Sequence, residues 1–357
     1  MSARRINALR KKLQSENLDG MVITHLNHIR YLCGFTGSAG LLVITPKGAE
    51  FFSDFRYADQ ARKQVKGARV SIIKEDPIKA LKEYPRFNVR NRKYAVAGDY
   101  LTVGQLERLK KALPDSLFVV ADTVLSDLGW VKETQEITNI GKAVEISDTA
   151  FERILNIVKP GVREREVAAE LEYQMTMLGS EKPAFETIVA SGYRSAMPHG
   201  VASMKKLQKG DLVTFDFGAT VNGYVSDLTR TVVIGKPTSR QKKVYDIVLR
   251  AQKAAIRKVR AGVAAKAVDQ AARRVITRAG YGKNFGHGTG HGIGFYVHVG
   301  PRVAATSDDK LLANNVITIE PGIYISGWGG VRIEDDVVVT RSGGRVLNRA
   351  PKNLLVL

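Results

Sequence analysis

Five side chains in the C-terminal half of the sequence are of the types that bind metal ions. They are four carboxylates and one imidazole, each in a strand-like or glycine-rich segment: Asp216, Asp227, His291, Glu320 and Glu334. This oxygen-rich set suits manganese, cobalt, iron or zinc. It could bridge two divalent cations, and two cations about 3.5 to 4 Å apart lower the pKa of a bridging water and polarise the bond under attack. The residues therefore predict a metal-dependent hydrolase.

The first two carboxylates lie in a predicted β-hairpin. Its turn is Asn222-Gly223, between two alternating apolar runs. With this turn, residues whose numbers sum to 445 face one another, which places Gly218 opposite Asp227. Asp216 is two residues further back, so its side chain projects from the same face. Neighbouring carboxylates repel unless a cation neutralises them. We therefore expect a metal here, in the space beside Asp227 that Gly218 leaves free.

The last β-rich stretch repeats this arrangement around a glycine-rich turn centred near Gly327. Glu320 and Glu334 are equidistant from that residue, so a symmetrical hairpin makes them cross-strand partners. Pro321 is the one residue that could disturb the register. Arg332 shares a face with Glu334 and could orient a carboxylate of the ligand set.

Between the hairpins lies the segment FGHGTGHGIGFYVHVGP. It holds three of the six histidines of the chain: His287, His291 and His298. Its alternating glycines disfavour a regular helix and allow the backbone to approach a ligand closely. We expect at least one of these histidines to serve the site.

The elements that carry these residues form two domains. Helices and strands alternate from Ile6 to about Val120, which predicts a small α/β domain with a mixed sheet. Later helices and antiparallel hairpins interleave, which predicts an α+β domain. We place the N-terminal domain at 1–128, a linker at 129–138 and the second domain at 139–357.

Composition bears on the partners and the cellular compartment of the protein. The net charge of +20 would attract anions. Lysines and arginines are scattered rather than gathered into a tail, so we expect a basic soluble protein without a nucleic-acid partner. Cys33 is the only cysteine, which excludes an internal disulfide and fits a reducing compartment. No apolar stretch is long enough for a signal peptide or a membrane span, so we expect a cytoplasmic protein.

Taken together, the motifs resemble those of a known family. FDFGA, SDLTRT, GHGTGHGIG, TIEPGIY and VRIEDDVVVT are similar to segments of the aminopeptidase P and prolidase group of creatinase-fold metallopeptidases. YLCGFTGSAGLLVIT and SDFRYADQA resemble the non-catalytic domain of that group, and FETIVASGYRSAMPHG resembles the segment with its first active-site histidine. The resemblance covers nearly the whole chain and implies a pita-bread catalytic domain after a creatinase-like N-terminal domain.

The resemblance also implies roles. The five ligands would hold two divalent metal ions per chain, with manganese expected and cobalt, zinc or iron as alternatives, and Asp227 and Glu334 would bridge the ions. Glu320 would accept a proton from the bridging water and pass it to the leaving prolyl nitrogen.

Four further residues take positions from the same resemblance. His199 and His298 would stabilise the tetrahedral intermediate, and His298 would also hold the proline. His287 matches a more mobile histidine of the pocket, and Arg332 matches a residue that supports the ligands.

The implied activity is hydrolysis of the Xaa-Pro bond at the N-terminus of peptides. An Xaa-Pro bond has no N–H, so general proteases that bind extended backbone handle it poorly. An aminopeptidase that accepts longer peptides is the first hypothesis, and a dipeptidase restricted to Xaa-Pro dipeptides is the alternative. Arg56 is a candidate to bind the C-terminal carboxylate of a dipeptide. The resemblance further implies a homodimer.

Other functions fit the residues less well. A methionine aminopeptidase lacks a counterpart to the long N-terminal domain, and creatinase lacks the metal ligands. Non-catalytic proteins of this fold bind histones, RNA or other partners, but they tend to lose ligands that this chain keeps. Two departures from the family pattern stand out: Val299 follows His298 where the family often has Glu, and 132–134 replaces a segment in which Pro is common.

Overall fold

The structure is a computed structural model that describes residues 2–357. Contacts divide the chain into two units, Met1–Leu128 and Gly129–Leu357. None of the helices within residues 2–357 combines the length and the apolar character that crossing a membrane requires.

The first unit is built on a mixed six-stranded sheet in the order β4-β3-β2-β1-β5-β6. Its strands are β1 (Gly20–Ile23), β2 (Leu41–Thr45), β3 (Gly48–Asp54), β4 (Arg69–Ile73), β5 (Lys93–Val96) and β6 (Leu117–Val120). Its helices are α1 (Ser2–Ser15), α2 (Leu26–Cys33), α3 (Ala58–Gln64), α4 (Pro77–Ala80), α5 (Val103–Ala112) and α6 (Thr123–Ser126). The central strands β1 and β2 are apolar runs that are buried along their whole length, which is typical of a sheet covered on both faces.

The second unit combines two pairs of long helices with short antiparallel sheets. Its helices are α7 (Thr134–Ile154), α8 (Glu164–Met177), α9 (Ser239–Lys258) and α10 (Ala265–Arg278). Its strands are β7 (Ile188–Ser191), β8 (Leu212–Phe217), β9 (Thr220–Val221), β10 (Tyr224–Val225), β11 (Leu228–Val233), β12 (Gly290–Gly292), β13 (Val299–Val303), β14 (Val316–Ile319), β15 (Gly322–Ile325), β16 (Gly329–Arg332), β17 (Asp335–Val339) and β18 (Gly344–Val346). The main sheets have the orders β11-β8-β7 and β13-β12-β14-β17-β18.

Each helix pair covers one of these sheets. Apolar residues of α7 and α8 share a core with β8 and β11, where Phe151 packs against Phe215 and Phe217. Apolar residues of α9 and α10 share a second core with β14 and β17. The strands that carry the acidic residues are therefore fixed between two helical layers.

Helix α7 begins inside the segment 129–138 that the sequence suggested as a linker. Glu133 and Glu136 form a capping box at its first turn, in which the Glu136 carboxylate accepts a hydrogen bond from Glu133 N at 2.7 Å. A capping box satisfies backbone donors that a helix otherwise leaves open. The irregular part of this segment accordingly ends at Glu133.

Candidate metal centre

One cavity of the second unit, of about 870 Å³, brings together nine of the residues singled out from the sequence. Its lining includes Asp216, Asp227, His291, Glu320, Glu334, Arg332, His199, His287 and His298. Arg56, the tenth, lies in the first unit, where its exposed side chain forms an ion pair with Asp54 at 2.8 Å. These nine residues come from segments up to 135 positions apart, so the cavity is a product of the fold.

The first hairpin has the predicted register. Thr229 pairs with Asp216 and Leu228 with Phe217, and each pair of numbers sums to 445. The turn residues Asn222 and Gly223 both have positive φ, 51° and 81°, as a two-residue hairpin turn requires. The ladder is interrupted at Asp227, between β10 and β11, so this carboxylate leaves the regular sheet beside the cavity.

Gly218 has a different role from the one predicted. A Cβ at this position would lie 1.9 Å from the carbonyl oxygen of Ser226, on the opposite arm of the hairpin. The glycine is therefore required for close approach of the two backbones at the interruption. The prediction that it clears room for a metal is wrong, because the space is filled by the neighbouring backbone.

The second hairpin keeps one register across Pro321. The pairs Ile319–Asp335 and Gly322–Arg332 lie on either side of that proline, and both sum to 654. The residue numbers of Glu320 and Glu334 also sum to 654, so these two residues lie opposite one another, in the gap between the two ladders. The proline therefore interrupts the pairing without shifting it. In both hairpins a ligand candidate lies where the chain passes from one sheet to the next.

Three candidate ligands form a compact group. One ligand atom each of Asp227, His291 and Glu334 lies within 4.8 Å of the other two. His291 Nε2 is 3.3 Å from Glu320 Oε1 and 3.7 Å from Asp227 Oδ2. Its Nδ1 is 3.2 Å from the carbonyl oxygen of Gly292, which can only accept, so Nδ1 carries a proton and Nε2 faces the carboxylates.

Asp216 lies beside this group and is held by Arg332. The Arg332 guanidinium donates to Asp216 Oδ2, to the Tyr324 hydroxyl at 2.9 Å and to Thr229 Oγ1 at 3.0 Å. Asp216 Oδ1 is buried and has no hydrogen-bond partner among residues 2–357. A buried carboxylate oxygen without a partner is costly, and a cation would satisfy it.

The carboxylates do not share one pKa. Burial, followed by the charges of Glu334 and Asp216, raises the pKa of Asp227 well above its ordinary value. Burial likewise raises the pKa of Glu334 well above its ordinary value, with the charges of Glu320 and Asp216 adding to it. Burial also acts on Glu320, but the hydrogen bond and charge of His291 outweigh it and lower its pKa to about 2. Without a cation, this cluster cannot hold all its carboxylates ionised.

The other histidines line the same cavity. His287 Nδ1 lies 2.7 Å from the Gly288 carbonyl and Nε2 lies 2.9 Å from the Tyr324 hydroxyl, and burial lowers its pKa. Much of the His298 side chain is exposed, and its ring lies 4.3 Å from that of His291. Its partial removal from solvent, together with the charge of His291, lowers its pKa. His199 is exposed at the cavity.

Sequence reasoning missed Tyr324. Its hydroxyl joins His287 to Arg332 and so connects the histidine segment to the residue that supports Asp216. The signal was available, since Gly322 pairs with Arg332 and Tyr324 lies two residues further along the same strand, on the same face.

A layer of polar residues behind the ligands was also missed. Thr229 Oγ1 donates to Glu334 Oε2 at 2.6 Å, and Asp227 N donates to Asp336 Oδ2 at 3.0 Å. Arg230 is buried, donates to the Glu334 carbonyl and forms an ion pair with Asp335 at 2.9 Å. These partners fix the orientation of the carboxylates that face the cavity.

The donor set fits two divalent cations. Four carboxylates and one imidazole converge on one cavity, and one carboxylate oxygen lacks a partner. Burial raises the pKa of Asp216, Asp227 and Glu334, and a nearby cation would lower all three. A fold with a helix-covered hairpin core and this ligand set defines a two-domain metallopeptidase of the pita-bread type.

Comparison with known proteins gives the family. Residues 138–341 match metallopeptidase family M24, and residues 5–128 match the creatinase/prolidase N-terminal domain. The chain therefore belongs to metallopeptidase family M24. The matched ranges contain all the candidate ligands in the first case and Arg56 in the second.

Relatives extend over the whole chain. It is 40% identical over 344 residues to an Xaa-Pro dipeptidase of Pyrococcus horikoshii, covering 96% of both sequences. The solved structure of an Xaa-Pro dipeptidase from Bacillus anthracis is similar at a TM-score of 0.96, with 41% identity and complete coverage of both chains. An X-Pro aminopeptidase from Thermotoga maritima has a TM-score of 0.89, with 38% identity and 99% coverage of both chains.

Proposed function

We propose that this protein is a dinuclear metallopeptidase that hydrolyses the Xaa-Pro bond at the N-terminus of peptides. The observation that carries the proposal is the convergence of the five ligand candidates, with three further histidines, on one cavity. Relatives named as Xaa-Pro dipeptidases and X-Pro aminopeptidases across nearly their whole length support the bond specificity.

Two divalent ions would be held by Asp216, Asp227, His291, Glu320 and Glu334, and we propose manganese because the donors are hard oxygens with one imidazole. When bound, the ions supply a water of lowered pKa and a polarised scissile carbonyl. The unpartnered Asp216 Oδ1 and the raised pKa values of Asp227 and Glu334 support this assignment.

Glu320 is the residue proposed to move the proton. Its pKa of about 2 keeps it ionised, and Thr318 Oγ1 donates to its Oε1 at 3.1 Å, which fixes the carboxylate. A carboxylate oxygen of Glu320 accepts a proton from the attacking water. Glu320 then donates this proton to the prolyl nitrogen, which must be protonated to leave as an amine.

The histidines are proposed to hold the substrate. His199 and His298 are exposed in the cavity, where they can donate to the scissile carbonyl and enclose the proline ring. His287 accepts from Tyr324 at Nε2, so a substrate would have to compete with that hydroxyl for the ring. Val299 cannot make the polar contact that Glu would make at its position.

Two cations at the cavity favour a dipeptide as the preferred substrate. Lys283 and Arg302 line the cavity and are exposed. The C-terminal carboxylate of an Xaa-Pro dipeptide lies next to the proline, whereas longer peptides place it further away. A guanidinium of the cavity lining that binds this carboxylate would therefore favour the dipeptide, and we propose Arg302 for this contact. The aminopeptidase that accepts longer peptides, the first hypothesis from sequence, becomes the second candidate. Arg56 of the first unit stays a candidate to bind the C-terminal carboxylate of a dipeptide.

The remaining proposals concern setting and assembly. We propose a cytoplasmic protein. The single free cysteine, Cys33, supports this because proteins of oxidising compartments are commonly stabilised by disulfides, which need a second cysteine. We also propose a homodimer, from the resemblance to its family. Size-exclusion chromatography with light scattering tests the dimer directly.

The deciding experiment compares the metal-stripped protein with protein reloaded with manganese, cobalt or zinc. Substrates are Ala-Pro, Ala-Pro-Ala and Ala-Ala. We expect cleavage of Ala-Pro only after reloading, slower cleavage of Ala-Pro-Ala and none of Ala-Ala. Equal rates on Ala-Pro and Ala-Ala, or full activity of the stripped protein, would contradict the proposal. Arg302→Ala should raise KM for Ala-Pro more than for Ala-Pro-Ala, and Arg341→Ala, an exposed arginine outside the cavity, should leave both unchanged.

A further inference from the structure

Half of the net positive charge of the protein lies on one pair of helices. Residues 239–278, which form α9, α10 and the turn between them, contain twelve Lys and Arg but only two acidic residues. Their net charge is therefore +10 of the total of +20, in 40 of 357 residues. This excess is contiguous in the sequence, so the expectation that lysines and arginines are scattered does not hold for this segment.

Eleven of these twelve cations are exposed, and together they define a surface that we term the basic helix face. Its members are Arg240, Lys242, Lys243, Arg250, Lys253, Arg257, Lys258, Arg260, Lys266, Arg274 and Arg278. The twelfth, Arg273, is partly buried and pairs with the buried Asp269 at 2.8 Å. Asp246 is the one exposed acidic residue of this segment, and Arg250 pairs with it at 3.1 Å.

Few of these charges are neutralised locally. Lys266 pairs with Asp308 at 3.3 Å, and the Arg240 guanidinium lies 4.6 Å from the Trp328 ring. The other eight cations of the basic helix face have no acidic partner within 4.0 Å in the part of the chain that the structure describes. Unpaired like charges at this density repel, so the arrangement costs stability and calls for an external anion.

The cations are arranged in stripes. Lys243, Arg250 and Arg257 recur every seven residues on α9, which places them about 10 Å apart along one side of the helix. Arg274 and Arg278 are one turn apart on α10. The apolar residues on the opposite sides of both helices are buried in the same core, so the charged sides face solvent.

The composition of this face points to a double-stranded nucleic acid. Between residues 239 and 278 no large apolar or aromatic side chain is exposed. Single strands are bound by aromatic stacking and membranes by apolar insertion, and this surface offers neither. Regularly spaced cations alone are sufficient to contact the phosphates of a duplex without reading its sequence.

We propose that the basic helix face binds double-stranded nucleic acid through its phosphates, independently of sequence and of the peptidase site. The uneven distribution of charge supports a dedicated surface, because a generally basic protein would carry only about 2 of the +20 in a segment of this length. The proposal replaces the expectation from sequence that nucleic acid is not a partner.

The test measures binding of the full-length protein to a mixed-sequence 25-base-pair DNA duplex by fluorescence anisotropy at several salt concentrations. The test variant is Lys253→Gln, Arg257→Gln and Arg274→Gln combined. The control variant is Lys63→Gln, Lys66→Gln and Lys82→Gln combined, which removes the same charge from exposed positions of the first unit. The single strand of the same sequence and vesicles with anionic lipid serve as competing probes.

We expect the wild type to bind the duplex with a strong salt dependence, and the test variant to bind roughly tenfold or more weakly at low salt with a shallower slope, because each lost phosphate contact reduces the slope by about 0.9. The control variant should bind within about twofold of wild type. Equal loss in both variants, absence of duplex binding, or preference for the single strand or the vesicles would overturn the proposal. Both variants should retain the peptidase activity of the wild type, because none of these residues lines the cavity.

Discussion

The indole of Trp130 lies directly against Gly300. A Cβ at Gly300 would come within 1.9 Å of Trp130 Cε2, so only glycine can occupy this position while the indole stays in place. The Trp130 carbonyl also accepts from Asn315 Nδ2 at 2.8 Å and from Lys132 Nζ at 3.1 Å. Trp130 thus holds the start of β14, which leads to Glu320, and the segment that follows His298.

This contact predicts a non-additive pair of mutations. Gly300→Ala should destabilise the protein by about 1 to 3 kcal/mol, because the added methyl overlaps the indole. In a Trp130→Ala background the same change should cost much less, since the space is then free. Urea unfolding of both single variants and the double variant gives the coupling energy. Additive effects would show that the indole does not constrain residue 300.

Substitutions at Glu320 and Asp227 should affect turnover and metal binding differently. Glu320→Gln keeps an oxygen donor but removes the proton acceptor, so we expect a loss of about 100-fold or more in kcat with most of the metal retained. Asp227→Ala removes a central ligand and should release metal. Elemental analysis of both variants, beside wild-type protein purified in parallel, is the measurement. A Glu320→Gln enzyme with the wild-type rate would refute its role in proton transfer.

Asp335 should be the most sensitive acidic residue outside the cavity. Its carboxylate accepts from the buried Arg230 at 2.9 Å, the buried Gln252 at 2.6 Å and the partly exposed Lys352 at 2.6 Å. Asp335→Ala leaves the buried Arg230 without its counter-charge, which should cost about 3 to 5 kcal/mol in the free energy of unfolding. Asp308→Ala breaks an exposed ion pair and should cost about 1 kcal/mol at most. Similar losses in the two variants would contradict this difference.

Lys132 should make stability depend on pH above neutrality. Burial lowers its pKa to about 7 from 10.5, although the charge of Glu136 opposes the shift. Between these values the unfolded chain binds the proton and the folded protein does not, so stability increases with pH in this window. Below about pH 7 Lys132 is protonated in both the folded and the unfolded chain, so the full free-energy cost of burying its charge lowers the stability of the folded protein.

The comparison with Lys132→Met isolates this effect. The free energy of unfolding of the wild type should rise relative to that of the variant between pH 7 and about 10, and the difference should be constant from pH 5 to 6.5. Denaturant titrations at each pH measure it. Parallel curves across the whole range would show that Lys132 does not titrate in this window.

Much of the site was predictable because the position of the turn fixes which residues of a hairpin lie opposite one another. A two-residue turn at Asn222-Gly223 fixed the partner of Asp216, and symmetry about Gly327 placed Glu320 opposite Glu334. These features depend on local sequence, which is why they could be deduced without a structure.

Contacts between distant segments could not be predicted in this way. Nothing in the sequence near Trp130 indicates Gly300, 170 positions later, as its neighbour. The excess of cations in residues 239–278 is visible in the sequence, but the side of each helix that faces solvent follows only from the core that buries its apolar residues. Tertiary packing decides both features.

Each hairpin keeps one register along its whole length, which limits where residues can be inserted or deleted during evolution. Because each arm between turn and ligand must match its partner residue for residue, adding or deleting one amino acid there would put a neighbour in the place of a ligand. Within these two hairpins, only the tips can change in length without displacing a ligand. The spacing of the acidic residues should therefore outlast almost every other feature of the sequence.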